Sequence, residues 1–312
     1  MTATRVAAID CGTNSIRLLI ADLDPETGAI ADRDRRMIIN RLGQGVDRTG
    51  RLAPEALERT FAACREYAAV IAEHGVGPDR IRLVATSASR DAENAEEFTK
   101  GVREILGIEP EVVSGEEEAH LSFIGATKEL TGGAFKAPYL VFDLGGGSTE
   151  FVLGTEDAEA ARSVDIGCVR MTERHFAGSD MPTLGQISAA QADIRAALDQ
   201  VAEVVPLDRA ATLVGLAGTV TTVAGIALDL PEYDSVAIHH SRLSVTAVRE
   251  VTGRLLSSTH EQRAAIPVVH PGRVDVIAAG ALVLLEIMER TGAAEVVVSE
   301  HDILDGIAWS IA

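Results

Sequence analysis

YLVFDLGGGSTEFVL, residues 139–153, is the stretch that decides how this chain is read. An unbroken apolar run ends at Asp143, Gly145, Gly146 and Gly147 follow, and after Ser148, Thr149 and Glu150 the apolar pattern resumes. The pattern predicts a strand, a tight Gly-rich turn and a second strand. Glycines there admit positive φ and let backbone N–H groups come close to a ligand. Successive N–H groups in such a turn form a concave nest for anions, typically phosphate oxygens. Ser148 and Thr149 add hydroxyl donors, and Asp143, at the strand end, is placed to hold a cation beside them. An ordinary Gly-rich hairpin accounts for the same residues, so the stretch needs support from elsewhere.

That support is at the start of the chain. VAAIDCGTNSIRLLIAD, residues 6–22, has an apolar run, then Asp10, Gly12, Thr13, Asn14 and Ser15, then apolar alternation. Asp10, Gly12 and Ser15 repeat the spacing of Asp143, Gly145 and Ser148. A long-period internal repeat predicts two similarly built halves. Two phosphate-cradling hairpins facing each other across a cleft would grip one phosphate chain from both sides.

Composition narrows the class. A length of 312 residues allows two domains, each with its own core. A net charge of −19 argues against a binder of nucleic acid or of an anionic membrane. It also means that a polyanionic ligand must be held by locally placed arginines or metal ions. Cys11, Cys64 and Cys168 are scattered without ligand spacing, the pattern of a reduced, cytoplasmic protein. The N-terminus lacks signal-peptide architecture, and the apolar run 276–285 is too short to span a bilayer.

Strands and helices alternate along the rest of the chain. An outer strand is expected within 29–40, a polar Gly-rich loop over 40–52, a helix from Pro54 to about His74, a buried strand at 81–85 and a helix ending at Leu106. Arg90 lies in the loop TSASRDAEN between strand and helix. Its planar fork suits bidentate phosphate binding, and it is equally an ordinary solvated loop arginine. In SGEEEAHLSFIGA, Ser114 and Glu117 form a capping-box pattern. Glu116, Glu117 and Glu118 all complement the positive helix end. Glu118 alone shares its face with Ser122 and Gly125, which leave room for a water beside a carboxylate able to act as general base. Thr183 and Gln186 make a second capping box before a core helix. TLVGLAGTVTTVAGI (212–226) reads as strand, turn and helix. There Gly218 and Thr219 begin either a phosphate-binding helix end or a close-packed turn. Arg273 and Asp275 open a long helix to Thr291, which makes Arg273 a second candidate clamp. A strand over 295–299 and a helix over 302–311 finish the chain. His239–His240 has no metal-ligand spacing.

Together, AIDCGTNSIRLLIAD, VFDLGGGSTEFVLG, SASRDAEN, SGEEEAHLSF, GLAGTVTTVAGI and HPGRVDVIAAG resemble the exopolyphosphatase/guanosine pentaphosphate phosphohydrolase family over essentially the whole chain. The resemblance implies an α/β, actin-like ATPase (ribonuclease H-like) fold of two similar domains flanking a phosphate cleft. The expected division is 1–125 plus 299–312 for the first domain and 126–298 for the second. It implies Glu118 as catalytic base and Asp143, with its counterpart Asp10, toward a metal; the charge argument adds Glu150 as a further candidate ligand. Gly12, Thr13, Asn14, Ser15, Gly145, Gly146, Gly147, Ser148, Thr149, Gly218 and Thr219 then fall on the phosphate-binding loops, and Arg90 and Arg273 on the phosphate path. The implied cofactor is Mg²⁺, with Mn²⁺ as an alternative. The implied partners are inorganic polyphosphate or guanosine penta- and tetraphosphate, and a homodimer is compatible with them.

The chain departs from the family pattern at its end. SEHDILDG (299–306) has Asp302 where the family has Gly, and Leu304 where it has Arg. The C-terminal HD-like domain of longer members is also missing, from which a preference for short polyphosphate is expected. An actin-fold kinase and a non-catalytic sensor of the same ligands are the rival readings.

Overall fold

The computed structural model describes residues 3–24, 29–128, 130 and 134–311. The chain divides into two compact units, Met1–Gly125 with Ile303–Ala312, and Ala126–Asp302.

In the first unit β1 (Thr4–Cys11) and β2 (Ser15–Leu23) form the first hairpin, and β3 (Ile30–Ile39) continues it antiparallel. On the other side of β1 lie β4 (Ile81–Ala85) and β5 (Glu111–Val112), both parallel, giving the order β3-β2-β1-β4-β5. Side chains alternate across β1, and both of its faces are covered. Ala7, Ile9 and Cys11 enter one core with α1 (Pro54–Glu73) and α2 (Ala95–Leu106). Val6 and Ala8 enter another with Leu121 of α3 (Gly115–Thr127). A strand buried on both faces has to be apolar throughout, and for that reason β1 reads as a continuous run.

The second unit repeats the plan. β6 (Tyr139–Leu144) and β7 (Thr149–Gly154) form the hairpin, and β8 (Ala158–Val164) extends it. Parallel to β6 run β9 (Thr212–Leu216) and then β11 (Glu295–Val298), and a short β10 (Arg242–Ser244) edges the sheet. The order β8-β7-β6-β9-β11 reproduces β3-β2-β1-β4-β5, so the spacing repeat marks a repeat of topology.

Helices α4 (Leu184–Ala202), α5 (Ala217–Ala227), α6 (Val245–Leu256) and α7 (Ile277–Thr291) complete this unit, and α7 is apolar nearly all round because it is buried. Thr183 and Gln186 form both halves of the expected capping box. The start of α7 differs from expectation. Pro271–Arg273 is a separate 3₁₀ turn, capped by His270 Nδ1 accepting from Gly272 N at 3.1 Å, and the α-helix begins only at Ile277. The connection expected over 131–137 lies partly outside the described residues.

The chain rejoins the first unit through α8 (Ile303–Trp309). Ile303, Leu304, Ile307 and Ala308 join Val6, Ala8, Leu19 and Leu121 in one core, and Arg35 of β3 pairs with the fully buried Asp305. A Cβ at Gly306 would stand 2.0 Å from the Leu121 carbonyl oxygen, so only glycine allows this approach. Leu304, which replaces the family's arginine, packs in the core. Residues 299–302 stay with the second unit, where Glu300 N donates to His239 Nδ1 at 3.1 Å and the His239 and His301 rings lie 4.8 Å apart. Among the described residues no helix is long and apolar enough to cross a membrane.

Candidate active site

The two hairpins turn in the same way. Gly12 N donates to Ser15 O at 3.0 Å, and Gly145 N to Ser148 O at 3.1 Å. A second segment lies behind each loop. In the second unit Gly167–Arg170 ties down all three glycine carbonyls. Cys168 N donates to Gly145 O (3.0 Å), Val169 N and Arg170 N to Gly146 O (2.8 and 3.1 Å), and Gly167 N to Gly147 O (3.2 Å). Arg170 adds its side chain, Nε donating to Gly147 O at 2.7 Å. In a trans peptide the C=O and the next N–H point in opposite directions. Anchoring these carbonyls therefore aims the N–H groups of Gly146, Gly147 and Ser148 to the other side. No backbone acceptor among the described residues takes any of the three. This is an anion nest held open by its own backing.

The first unit has the same device in weaker form. Gly43 N donates to Thr13 O at 2.8 Å, and Arg41 N to Asn14 O at 3.0 Å. Thr13 Oγ1 and Ser87 Oγ, 2.9 Å apart, tie this loop to the helical turn Ser87–Arg90. Asn14 Nδ2 is buried without a hydrogen-bond partner, an orphan donor of the kind a bound oxyanion satisfies.

The carboxylates divide between the units. Asp10 is opposite Arg17 on the paired strand, and the guanidinium donates to it through Nε at 2.9 Å and Nη2 at 2.7 Å. Asp143 is opposite Glu150, a second carboxylate, and both side chains are buried. Ser163 Oγ donates to Glu150 at 2.8 Å. Among the described residues no group of three or more His, Cys, Asp or Glu side chains is arranged to hold a metal ion. Two carboxylates do suit Mg²⁺, which uses one or two of them and completes its shell with water and phosphate oxygens. On this donor set, Asp143 and Glu150 fit a cation better than Asp10 does.

Glu118 is in the first turn of α3, and only 7 % of it is exposed. Arg90 Nη1 donates to Glu118 Oε2 at 3.0 Å and to Val113 O at 3.2 Å. The structure therefore brings the two candidates together in an ion pair. Glu117 N donates to Ser114 Oγ at 3.2 Å, the helix-capping role its position predicts.

In the second unit, Arg273 lies directly over Gly218 at the start of α5. A Cβ at Gly218 would stand 2.0 Å from the guanidinium carbon. Ala217, just before it, holds φ at +69°, a left-handed conformation that costs a non-glycine residue about 1–2 kcal/mol. Thr219 is buried beside Cys168, whose thiol it helps hold while burial pushes the thiol pKa up. The Thr149 hydroxyl donates to Ile166 O at 3.1 Å and so braces the backing segment. The sequence reading missed Gly43, Gly167 and Arg170, which act through long-range pairing and carry no local motif.

A sequence profile of the Ppx/GppA phosphatase family matches residues 21–312. The chain belongs to this family. Over 323 aligned positions it is 50% identical to Exopolyphosphatase 2 of Mycobacterium tuberculosis, with 100% of both chains covered. The solved structure of an exopolyphosphatase-like protein is 44% identical and superposes with a TM-score of 0.94, covering 99% of this chain and 98% of the other. The Ppx/GppA family member of Aquifex aeolicus is 31% identical with a TM-score of 0.81, covering 99% and 97%. The two mixed-sheet α/β units thus share the fold of the solved Ppx/GppA structures.

Proposed function

We propose that this Ppx/GppA protein is an exopolyphosphatase that removes the terminal phosphate of inorganic polyphosphate. The observation that carries the reading is the second unit's loop, with three N–H groups turned outward beside a carboxylate pair. The relative named as an exopolyphosphatase, aligned over its full length, supports the same substrate class.

The loop N–H groups and Arg273 would bind and orient the phosphate oxygens, spreading the charge that grows in the transition state. Glu118 would take a proton from the attacking water as its oxygen bonds to the terminal phosphorus. The P–O bond to the bridging oxygen breaks, and orthophosphate leaves a chain one unit shorter. A Mg²⁺ ion held by Asp143 and Glu150 would supply further neutralisation of the phosphate oxygens.

Orthophosphate release from short polyphosphate, long polyphosphate, guanosine pentaphosphate and ATP, measured in parallel with Mg²⁺, tests the reading. For Glu118→Gln, kcat on polyphosphate is expected to fall by about 10²–10⁴-fold while binding persists. Full activity in that variant would move the base elsewhere. Release from guanosine pentaphosphate alone would make the protein a nucleotide phosphohydrolase. Tight binding with no turnover of any substrate would make it a sensor.

A further inference from the structure

We propose that Arg170 is a positioning residue for the phosphate loop, holding the Gly147 carbonyl so that the Ser148 N–H faces the bound phosphate. The proposal rests on the phosphate-binding reading above and adds a residue to it.

Gly145, Gly146 and Gly147 are consecutive, and a run of glycines has little preference of its own for the direction of each peptide. What holds each carbonyl therefore decides where the following N–H points. Backbone N–H groups alone hold the carbonyls of Gly145 and Gly146. Gly147 is different. Its backbone donor, Gly167 N, stands at 3.2 Å, and the shorter bond, 2.7 Å, comes from Arg170 Nε. A charged donor makes the stronger bond of the two. The Arg170 side chain is only 10% exposed, and Asp165, 3.7 Å away, is largely in solvent.

The guanidinium stands on the carbonyl side of the peptide. From there its charge polarises the Gly147–Ser148 unit, making the N–H on the opposite side a better donor to an anion. The corresponding carbonyl in the first unit, Asn14 O, accepts from a backbone N–H, that of Arg41. Orientation of this one peptide is thus open to a side-chain substitution that leaves the rest of the loop's backing intact.

The test is tripolyphosphate binding by calorimetry on the full chain, with Glu118→Gln as a common background that prevents turnover. Steady-state kinetics on the otherwise wild-type enzyme and amide NMR of Gly146, Gly147 and Ser148 accompany it. Arg170→Met removes both charge and donor, and is expected to weaken binding and raise KM by about tenfold. The Ser148 amide should lose most of its response to tripolyphosphate, while Gly146 and Gly147 keep theirs. Arg170→Lys, which retains charge and a donor, should recover most of the affinity. If the methionine variant does not fold, Arg170→Gln carries the same expectation of weakened binding.

A folded Met or Gln variant that binds as tightly as the parent overturns the proposal. So does a loss that tracks melting temperature and is no smaller in the lysine variant. If the parent protein neither binds nor hydrolyses tripolyphosphate, the phosphate-loop reading itself is lost, and Arg170 goes with it.

Discussion

In the first hairpin Asp10 faces Arg17, and in the second Asp143 faces Glu150. Arg17 and Glu150 stand equally far beyond their aspartates, in strands that pair alike and behind turns that close alike. One backbone device has been given opposite electrostatics. The first loop carries its own counter-charge. The second sets two carboxylates opposite each other. If a cation is taken, as proposed above, it would sit with the Asp143–Glu150 pair, because in the first hairpin a guanidinium stands opposite the aspartate.

Gly167→Ala and Gly43→Ala test whether the two backings are equally essential. A Cβ at Gly167 would lie 2.3 Å from the Gly146 carbonyl carbon and 2.4 Å from Gly147 N, so the nest itself must move. At Gly43 the clash, at 2.2 Å, is with the Thr13 side chain and not with the loop backbone. Gly167→Ala should cost about 3 kcal/mol by thermal unfolding and lower activity by two orders of magnitude or more, whereas Gly43→Ala should cost about 1 kcal/mol. Equal losses would mean that the first loop is held as rigidly as the second.

Arg17→Met should cost about 3 kcal/mol, because the buried Asp10 loses its ion pair with Arg17. Arg17→Glu converts the first hairpin to the charge pattern of the second. Its melting temperature is expected to rise with Mg²⁺ by more than that of Arg17→Met. Identical Mg²⁺ responses in the two variants would break the argument that paired carboxylates in this frame recruit the ion.

A smaller effect separates the units in acid. Arg5 and, more weakly, Arg33 hold the Asp22 pKa down to about 2, against 3.8 for a free side chain. A depressed carboxylate stabilises the fold above its unfolded pKa and stops doing so as pH falls through the folded one. The first unit should therefore lose this contribution between about pH 4 and pH 2. Asp22→Asn should flatten that part of its acid-unfolding curve, followed by hydrogen exchange in β1 and β2.

Much of this was legible in the sequence because it is local chemistry. Glycines between apolar runs betray both hairpins, and Thr183 with Gln186 betrays a helix start. The topological repeat was visible in Asp10, Gly12 and Ser15. Extending that comparison to Arg17 and Glu150 would also have exposed the charge reversal. The backing segments were hidden for a physical reason. Arg41–Gly43 and Gly167–Arg170 act mainly through backbone N–H groups, which every residue but proline possesses, so no side-chain pattern announces them. The Thr149 hydroxyl's bond to Ile166 O was hidden for the same reason, because its partner is a backbone carbonyl far along the chain. At Arg273, Pro271 and the His270 cap impose a separate turn before the helix.

The first unit is discontinuous in sequence, and this bears on how the protein is made. A ribosome delivers the strands of that unit early, yet the helix that covers Val6, Ala8, Leu19 and Leu121 begins at Ile303. The second unit, Ala126–Asp302, is contiguous and is synthesised in full before that helix appears. Throughout that interval one face of the first sheet has α3 but lacks its closing helix on the nascent chain, a natural point of engagement for holding chaperones. The half of the molecule that begins the chain is therefore the last to be finished.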